Sequence, residues 1–98
     1  MLLGADGDHI DVFLGPHIKS TKVFVINQID SDTKVWDEHK VFIGFRDLKH
    51  VVETYQKAFS DQKALDRIGS IVPTDIKQFK HWLDNADTTK PFALPKNS

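Results

Sequence analysis

The run Lys22-Val23-Phe24-Val25-Ile26-Asn27-Gln28-Ile29 constrains this chain most. It is β-branched or aromatic almost throughout, the composition of a strand. Its middle is apolar on both parities, which predicts a central strand covered on each side. Asp30-Ser31-Asp32-Thr33 follows, four residues that satisfy backbone groups locally and so favour a turn. Lys34-Val35-Trp36 begins a return strand and residues 39–45 continue it. Residues 22–45 are therefore expected to form a hairpin, with Asp37-Glu38 as a bulge or break.

Upstream, residues 9–14 read as a first strand ended by Gly15-Pro16, which is strong loop punctuation. At Arg46 the period changes. Leu48, Val51, Val52, Tyr55, Ala58 and Phe59 form one stripe of an amphipathic helix that begins at Arg46 or Asp47. Residues 60–66 suggest a short helical turn, closed by Gly69. Ser70-Ile71-Val72 reads as a short strand stopped by Pro73. Thr74 is a good N-cap, with Asp75 suited to the helix dipole in the first turn. Ile76, Phe79, Trp82 and Leu83 then define a second amphipathic helix to about Asn85. The expected fold is α+β, a small antiparallel sheet of three or four strands with two amphipathic helices packed on it. Residues 1–86 make one domain, and 87–98, with Pro91 and Pro95, a frayed or extended surface tail.

Composition narrows the function classes. A 98-residue chain buries roughly 60–70% of its unfolded surface, enough for one small core. A formal charge of −1 gives no electrostatic case for nucleic acid or an acidic membrane. The chain has no cysteine, which removes disulfides and thiolate chemistry and suits the cytoplasm. No apolar run approaches the ~20 residues of a membrane span. Met1-Leu2-Leu3-Gly4 lacks the basic region and apolar stretch of a signal peptide. A soluble, cytoplasmic protein is expected.

Two polar clusters stand out. Asp6-Gly7-Asp8-His9-Ile10-Asp11 places three carboxylates at i, i+2 and i+5. In an extended backbone Asp6 and Asp8 share a face, and Asp11 joins them only through a bend, which Gly7 permits. Carboxylates that close repel unless a cation lies between them, and Mg²⁺ takes such oxygen ligands. The plainer reading is a solvated Asp-Gly turn leading into a strand. Asp37-Glu38-His39-Lys40 is the second cluster. Asp37 or Glu38 completes a site with Asp6 and Asp11 if the first strand pairs beside the hairpin. Here the plainer reading is a solvated strand edge of alternating charge. The five histidines are scattered, with no i, i+4 pair on a predicted helix for zinc. No EF-hand ladder, Gly-rich phosphate loop, nucleophile elbow or dinucleotide fingerprint is present.

The residues themselves carry a resemblance. The 6–12 segment resembles the Asp-x-Asp-Pro-x-Asp signature of the family I soluble inorganic pyrophosphatases, with His9 where that family has proline. The resemblance implies Asp6 and Asp11 as Mg²⁺ ligands and Asp8 as the general base that activates water. It implies Glu38, with Asp37 one residue further back, as further metal ligands, and Lys40 on phosphate. The chain is still more similar to pyrophosphatase-like domains of phages and prophages. The Asp-Gly-Asp-His run, Asp37-Glu38-His39-Lys40-Val41 and Phe79-Lys80-His81-Trp82-Leu83 carry that likeness over most of its length.

The family fold is a small closed β-barrel with helices. Without its first strands, an open sheet or a homodimer paired through the exposed edge is implied. The family's upstream lysine, arginine and tyrosine have no counterpart in the five residues before Asp6. Tyr55 with Lys57, or Phe79-Lys80, echoes its downstream Tyr-Lys pair too loosely to be carried over. The leading expectation is thus a prophage-type, pyrophosphatase-like module, non-catalytic as this short chain, with a divalent-cation site and a phage or host protein partner. The alternative is a Mg²⁺-dependent hydrolase of pyrophosphate or a related phosphoanhydride.

Overall fold

The computed structural model describes residues 2–3 and 9–94. Asp6 and Asp8 lie outside the described residues, as do 95–98. The elements in chain order are β1 (Leu2–Leu3), β2 (His9–Leu14), β3 (Lys22–Ile29), β4 (Trp36–Ile43), α1 (Leu48–Lys57), a 3₁₀ turn (Ala64–Arg67), β5 (Ile68–Asp75) and α2 (Ile76–Asn85). Among the described residues the strands form one open sheet in the order β1-β2-β4-β3-β5.

β3 is the centre, as its two apolar parities require. It pairs antiparallel with β4 on one side and β5 on the other. Val23, Val25 and Ile26 are wholly buried and Phe24 nearly so. Alternation then divides the core in two. Phe24 and Ile26 pack with Phe42, Phe45, Val51 and Tyr55 under α1. Val23 and Val25 pack with Ile10, Val41, Phe79, Trp82 and Phe92 under α2. The fold is α+β, with one amphipathic helix on each face of the sheet.

The sheet is mixed rather than purely antiparallel. β2 runs parallel to β4, with Asp11 opposite Lys40 and Leu14 opposite Ile43. The connection after β2 passes over the end of the sheet, so β4 inserts between β2 and β3. Two glycines make that crossing. The Gly15 N–H donates to Ile43 O at 2.8 Å, and a Cβ on Gly15 would stand 2.4 Å from Gly44 O. Gly44 itself adopts φ +85°, which a side chain disfavours.

β5 is longer than Ser70-Ile71-Val72 and continues through Pro73 to Asp75. It is the outer strand, where a proline nitrogen facing away from the sheet breaks no ladder bond. The cap of α2 is accordingly Asp75, whose Oδ1 accepts from Gln78 N at 2.8 Å, rather than Thr74. Asp47 caps α1 in the same way, accepting from His50 N at 2.9 Å.

The tail departs most from expectation. Residues 87–94 form no helix or strand, yet Phe92 is only 2% exposed. Asn27, the polar residue on the α2 face of β3, explains why. Its Oδ1 accepts from Phe92 N at 2.7 Å and its Nδ2 donates to Phe92 O at 2.9 Å. His39 Nε2 lies 2.8 Å from Lys90 O on the same face. Buried polar groups need partners, and the tail backbone supplies them.

Candidate functional site

The parallel pairing of β2 with β4 places Asp11 beside Lys40 on the α1 face of the sheet. Glu38 lies two residues back on β4 and so projects on that face too. Lys40 Nζ sits 2.6 Å from Asp11 Oδ2 and 2.6 Å from Glu38 Oε1. The lysine side chain is 14% exposed, whereas the two acids are 43% and 44% exposed. One ammonium thus bridges carboxylates from two neighbouring strands.

A β-bulge adds the third acid. Gln28 pairs with Glu38 and Ile29 with Trp36, which leaves Asp37 without a partner on β3. An extra residue of this kind breaks strict alternation and re-aims a side chain. Asp37 and Glu38, though consecutive, therefore reach the same group. Gln28 Nε2 donates to Asp37 Oδ2 at 3.1 Å and to Glu38 Oε1 at 3.3 Å. Behind it, the Tyr55 hydroxyl from α1 donates to Gln28 Oε1 at 2.8 Å. The chain of contacts runs from Tyr55 in the core to Asp11 at the surface.

Electrostatics follow from this arrangement. Burial pulls the Lys40 ammonium down, but its hydrogen bonds to Asp11 and Glu38 and their charges outweigh that, so its pKa lies above the ordinary lysine value. Burial pushes the Tyr55 phenol up to about 12, so it remains a neutral donor at physiological pH. Three carboxylates against one ammonium leave the patch with a formal charge of −2. A patch of that sign attracts cations and repels free anions.

Of the residues expected to act, the structure brings Asp11, Glu38 and Lys40 into contact and sets Asp37 beside Glu38. Asp6 and Asp8, on the segment leading into β2, lie outside the described residues. Among the described residues no three His, Asp or Glu side chains converge so as to hold a metal ion. Gln28 escaped the sequence reading of the site, and Tyr55 entered it only as a loose echo that was not carried over. The signal for Gln28 was a polar residue within an apolar strand, and for Tyr55 a hydroxyl on an apolar helical stripe beside that loose Tyr-Lys echo. Lys57, paired with Tyr55 in the loose Tyr-Lys echo, is exposed. A groove of about 620 Å³ between α2 and the tail, lined by Gln78, His81, Trp82 and Phe92 among others, shares no residue with this site.

A family model for inorganic pyrophosphatase matches residues 2–84. The chain belongs to the inorganic pyrophosphatase family. No curated protein and no solved structure matches it. Among the described residues no helix is long and apolar enough to cross a membrane.

Proposed function

We propose that this chain is a pyrophosphatase-family module that binds a divalent cation at the Asp11–Lys40–Glu38 patch and is non-catalytic by itself. The observation that carries this reading is Lys40, held 2.6 Å from each of two half-exposed carboxylates. Its ammonium stands where the acids favour positive charge, as a tethered stand-in for a cation. Asp11 and Glu38 offer hard oxygen, the chemistry that suits the Mg²⁺ this family typically uses, and an ion bound there would need further ligands, since no three acids converge among the described residues. When bound, such an ion neutralises phosphoryl charge and lowers the pKa of a bound water. Lys40 is the one described cation in direct contact with the patch, and two carboxylates already satisfy it. Pyrophosphate needs several positive groups, since charge neutralisation supplies most of the catalysis. The non-catalytic reading follows from that shortage. In the prophage-type reading, the module acts through its surface on a phage or host protein.

A second reading rests on the family match over residues 2–84 and the Asp11–Lys40 register. In it the chain is a Mg²⁺-dependent phosphohydrolase. Asp6, Asp11, Glu38 and Asp37 would hold the metal, Asp8 would take the proton of the attacking water, and Lys40 would contact phosphate. One experiment separates the two. Amide NMR of the chain is followed through additions of MgCl₂ and then pyrophosphate, with phosphate release assayed on the same sample. Shifts at Asp11, Asp37 and Glu38 with negligible phosphate release support the first reading. Release at ordinary enzyme rates that Asp8→Asn abolishes supports the second. Amides that stay still at millimolar Mg²⁺ overturn both.

A further inference from the structure

We infer that the outer edge of β2, at Val12 and Leu14, is a docking surface for a second copy of this chain, which joins it by antiparallel pairing of β2 with β2. This surface is independent of the cation reading.

The two sides of the sheet end differently. On β5, Ile76 N donates inward to Thr21 O, so by alternation Pro73 turns away from β3. A proline on the outward side blunts an edge against further pairing. β2 carries no such guard. β1 covers it only at His9 and Ile10, and among the described residues nothing pairs with the outer side of residues 11–14. Gly15 N donates inward to Ile43 O, so Phe13 and Asp11 also face β4. Val12 and Leu14 therefore turn their N–H and C=O groups outward. Leu14 is 79% exposed, and the stretch holds neither proline nor lysine. Its one charge, Asp11, is already held by Lys40 at 2.6 Å.

The length of the open edge selects its occupant. An incoming strand must stop opposite Asp11, because β1 occupies the place beside Ile10. β2 is itself such a strand, since Gly15-Pro16 ends it. Laid antiparallel, a second β2 has one register that matches outward groups with outward groups and clears β1. In that register Val12 lies opposite the partner's Leu14 and Phe13 opposite the partner's Phe13. The other two-fold choice, Val12 opposite the partner's Val12, sets Leu14 against the partner's Ile10, whose edge β1 has taken. The favoured register gives main-chain bonds both ways between Val12 and the partner's Leu14, and both ways between Leu14 and the partner's Val12. Asp11 meets the partner's Gly15, where the partner's chain turns away before it reaches β1.

Side chains agree with this register. Val12 packs on the α2-side core, so Leu14, of the same parity, covers the partner's Val12 on that face. Phe13, stacked on Phe42 at 4.6 Å on the α1 face, meets its own copy at the closely spaced kind of pair. The two Asp11 residues stand four positions apart along the strands, roughly 13 Å, so like charges do not oppose one another. So short an overlap makes a small interface, and the association is weak.

The test combines sedimentation velocity with amide hydrogen exchange on the 98-residue chain, from about 10 μM to about 1 mM, the range that brackets a weak dimer. Leu14→Pro copies the guard of β5, because the Leu14 N–H makes no bond to β4. Leu14→Lys changes only an exposed side chain and decides the matter if the proline variant does not fold, which circular dichroism checks. The wild type is expected to dimerise as concentration rises, with exchange at Val12 and Leu14 slowed about tenfold when nine-tenths of it is dimer. Asp11 and Phe13 amides stay protected throughout, and both variants remain monomeric. A wild type that is monomeric over the whole range overturns the inference. So does a dimer that survives both substitutions, or one that protects Gly69 and Ile71 on β5 instead. Protection of Val12 and Leu14 that does not change with concentration also overturns it, because a segment of the same chain then covers the edge.

Discussion

Asn27 and Gln28 are neighbours on β3, both primary amides and both buried, yet they face opposite sides of the sheet. Asn27 turns toward α2 and finds backbone, the N–H and the carbonyl of Phe92, with Ser70 Oγ beside them. Gln28 turns toward α1 and finds side chains, Tyr55 behind it and Asp37 and Glu38 in front. A buried amide whose bonds close on backbone holds the fold together and has nothing left to offer a ligand. One whose bonds end on half-exposed carboxylates transmits core geometry to the surface. The α2 face is a latch, and the α1 face carries the charged patch.

The largest test of that contrast is Phe92→Ala. It empties a buried aromatic position against Phe79 and Trp82. Stability to urea falls by about 3–4 kcal/mol, the usual cost of such a truncation, while Mg²⁺ affinity of the folded fraction holds. Next in size is Asn27→Ala, which leaves the Phe92 N–H and carbonyl without their side-chain partner. A loss of about 2–3 kcal/mol is expected, again with cation affinity unchanged. If either variant weakens the folded protein's cation binding in proportion to its stability, the two faces are not separable.

The same contrast shows what was legible in the sequence. The apolar run 22–29 declared itself a doubly covered central strand, and the 3.6-residue stripes declared both helices. Asp37-Glu38 stood out as a break in a strand, which the bulge explains. The parallel neighbour of β4 was not legible, because strand periodicity says which face a residue occupies and not which strand lies beside it. Pro73 misled, since a proline stops a central strand but is tolerated in an outer one. The tail misled for a related reason. Its polar, proline-containing composition reads as solvated, and only the buried Asn27 amide, seen in place, shows what draws Phe92 inward. In the site, the acids and Lys40 were visible as a charged run. Gln28 was hidden because it looked like part of the apolar strand that carries it, and Tyr55, weighed only as a loose echo, looked like part of its helical stripe.

Smaller effects sharpen the comparison. Asp47→Ala and Asp75→Ala each remove one helix cap, and each costs about 1 kcal/mol. The two losses match in a melting experiment. In a cation titration they diverge, because α1 carries Tyr55 and α2 carries nothing that touches the acids. Equal effects of both on Mg²⁺ affinity count against a site governed from α1.

The smallest stability change belongs to Lys40→Met. Its partners are nearly half exposed, so solvent screens the pair and the loss is under about 1 kcal/mol. Its signature is pH. Lys40 holds its proton more tightly folded than unfolded, so its contribution is complete below the ordinary lysine value of 10.5 and fades as pH rises through the raised folded value. Tyr55 behaves alike, its share draining between 10.0 and about 12. Wild-type stability therefore declines on the alkaline side. Lys40→Met removes the lysine part of that slope and Tyr55→Phe the tyrosine part, whereas Asn27→Ala lowers the whole curve and leaves its slope alone. Urea midpoints measured from pH 8 to 12 decide it. An Asn27→Ala curve that flattens like the Lys40→Met curve would place titrating groups behind the latch as well, and the division between the faces would fail.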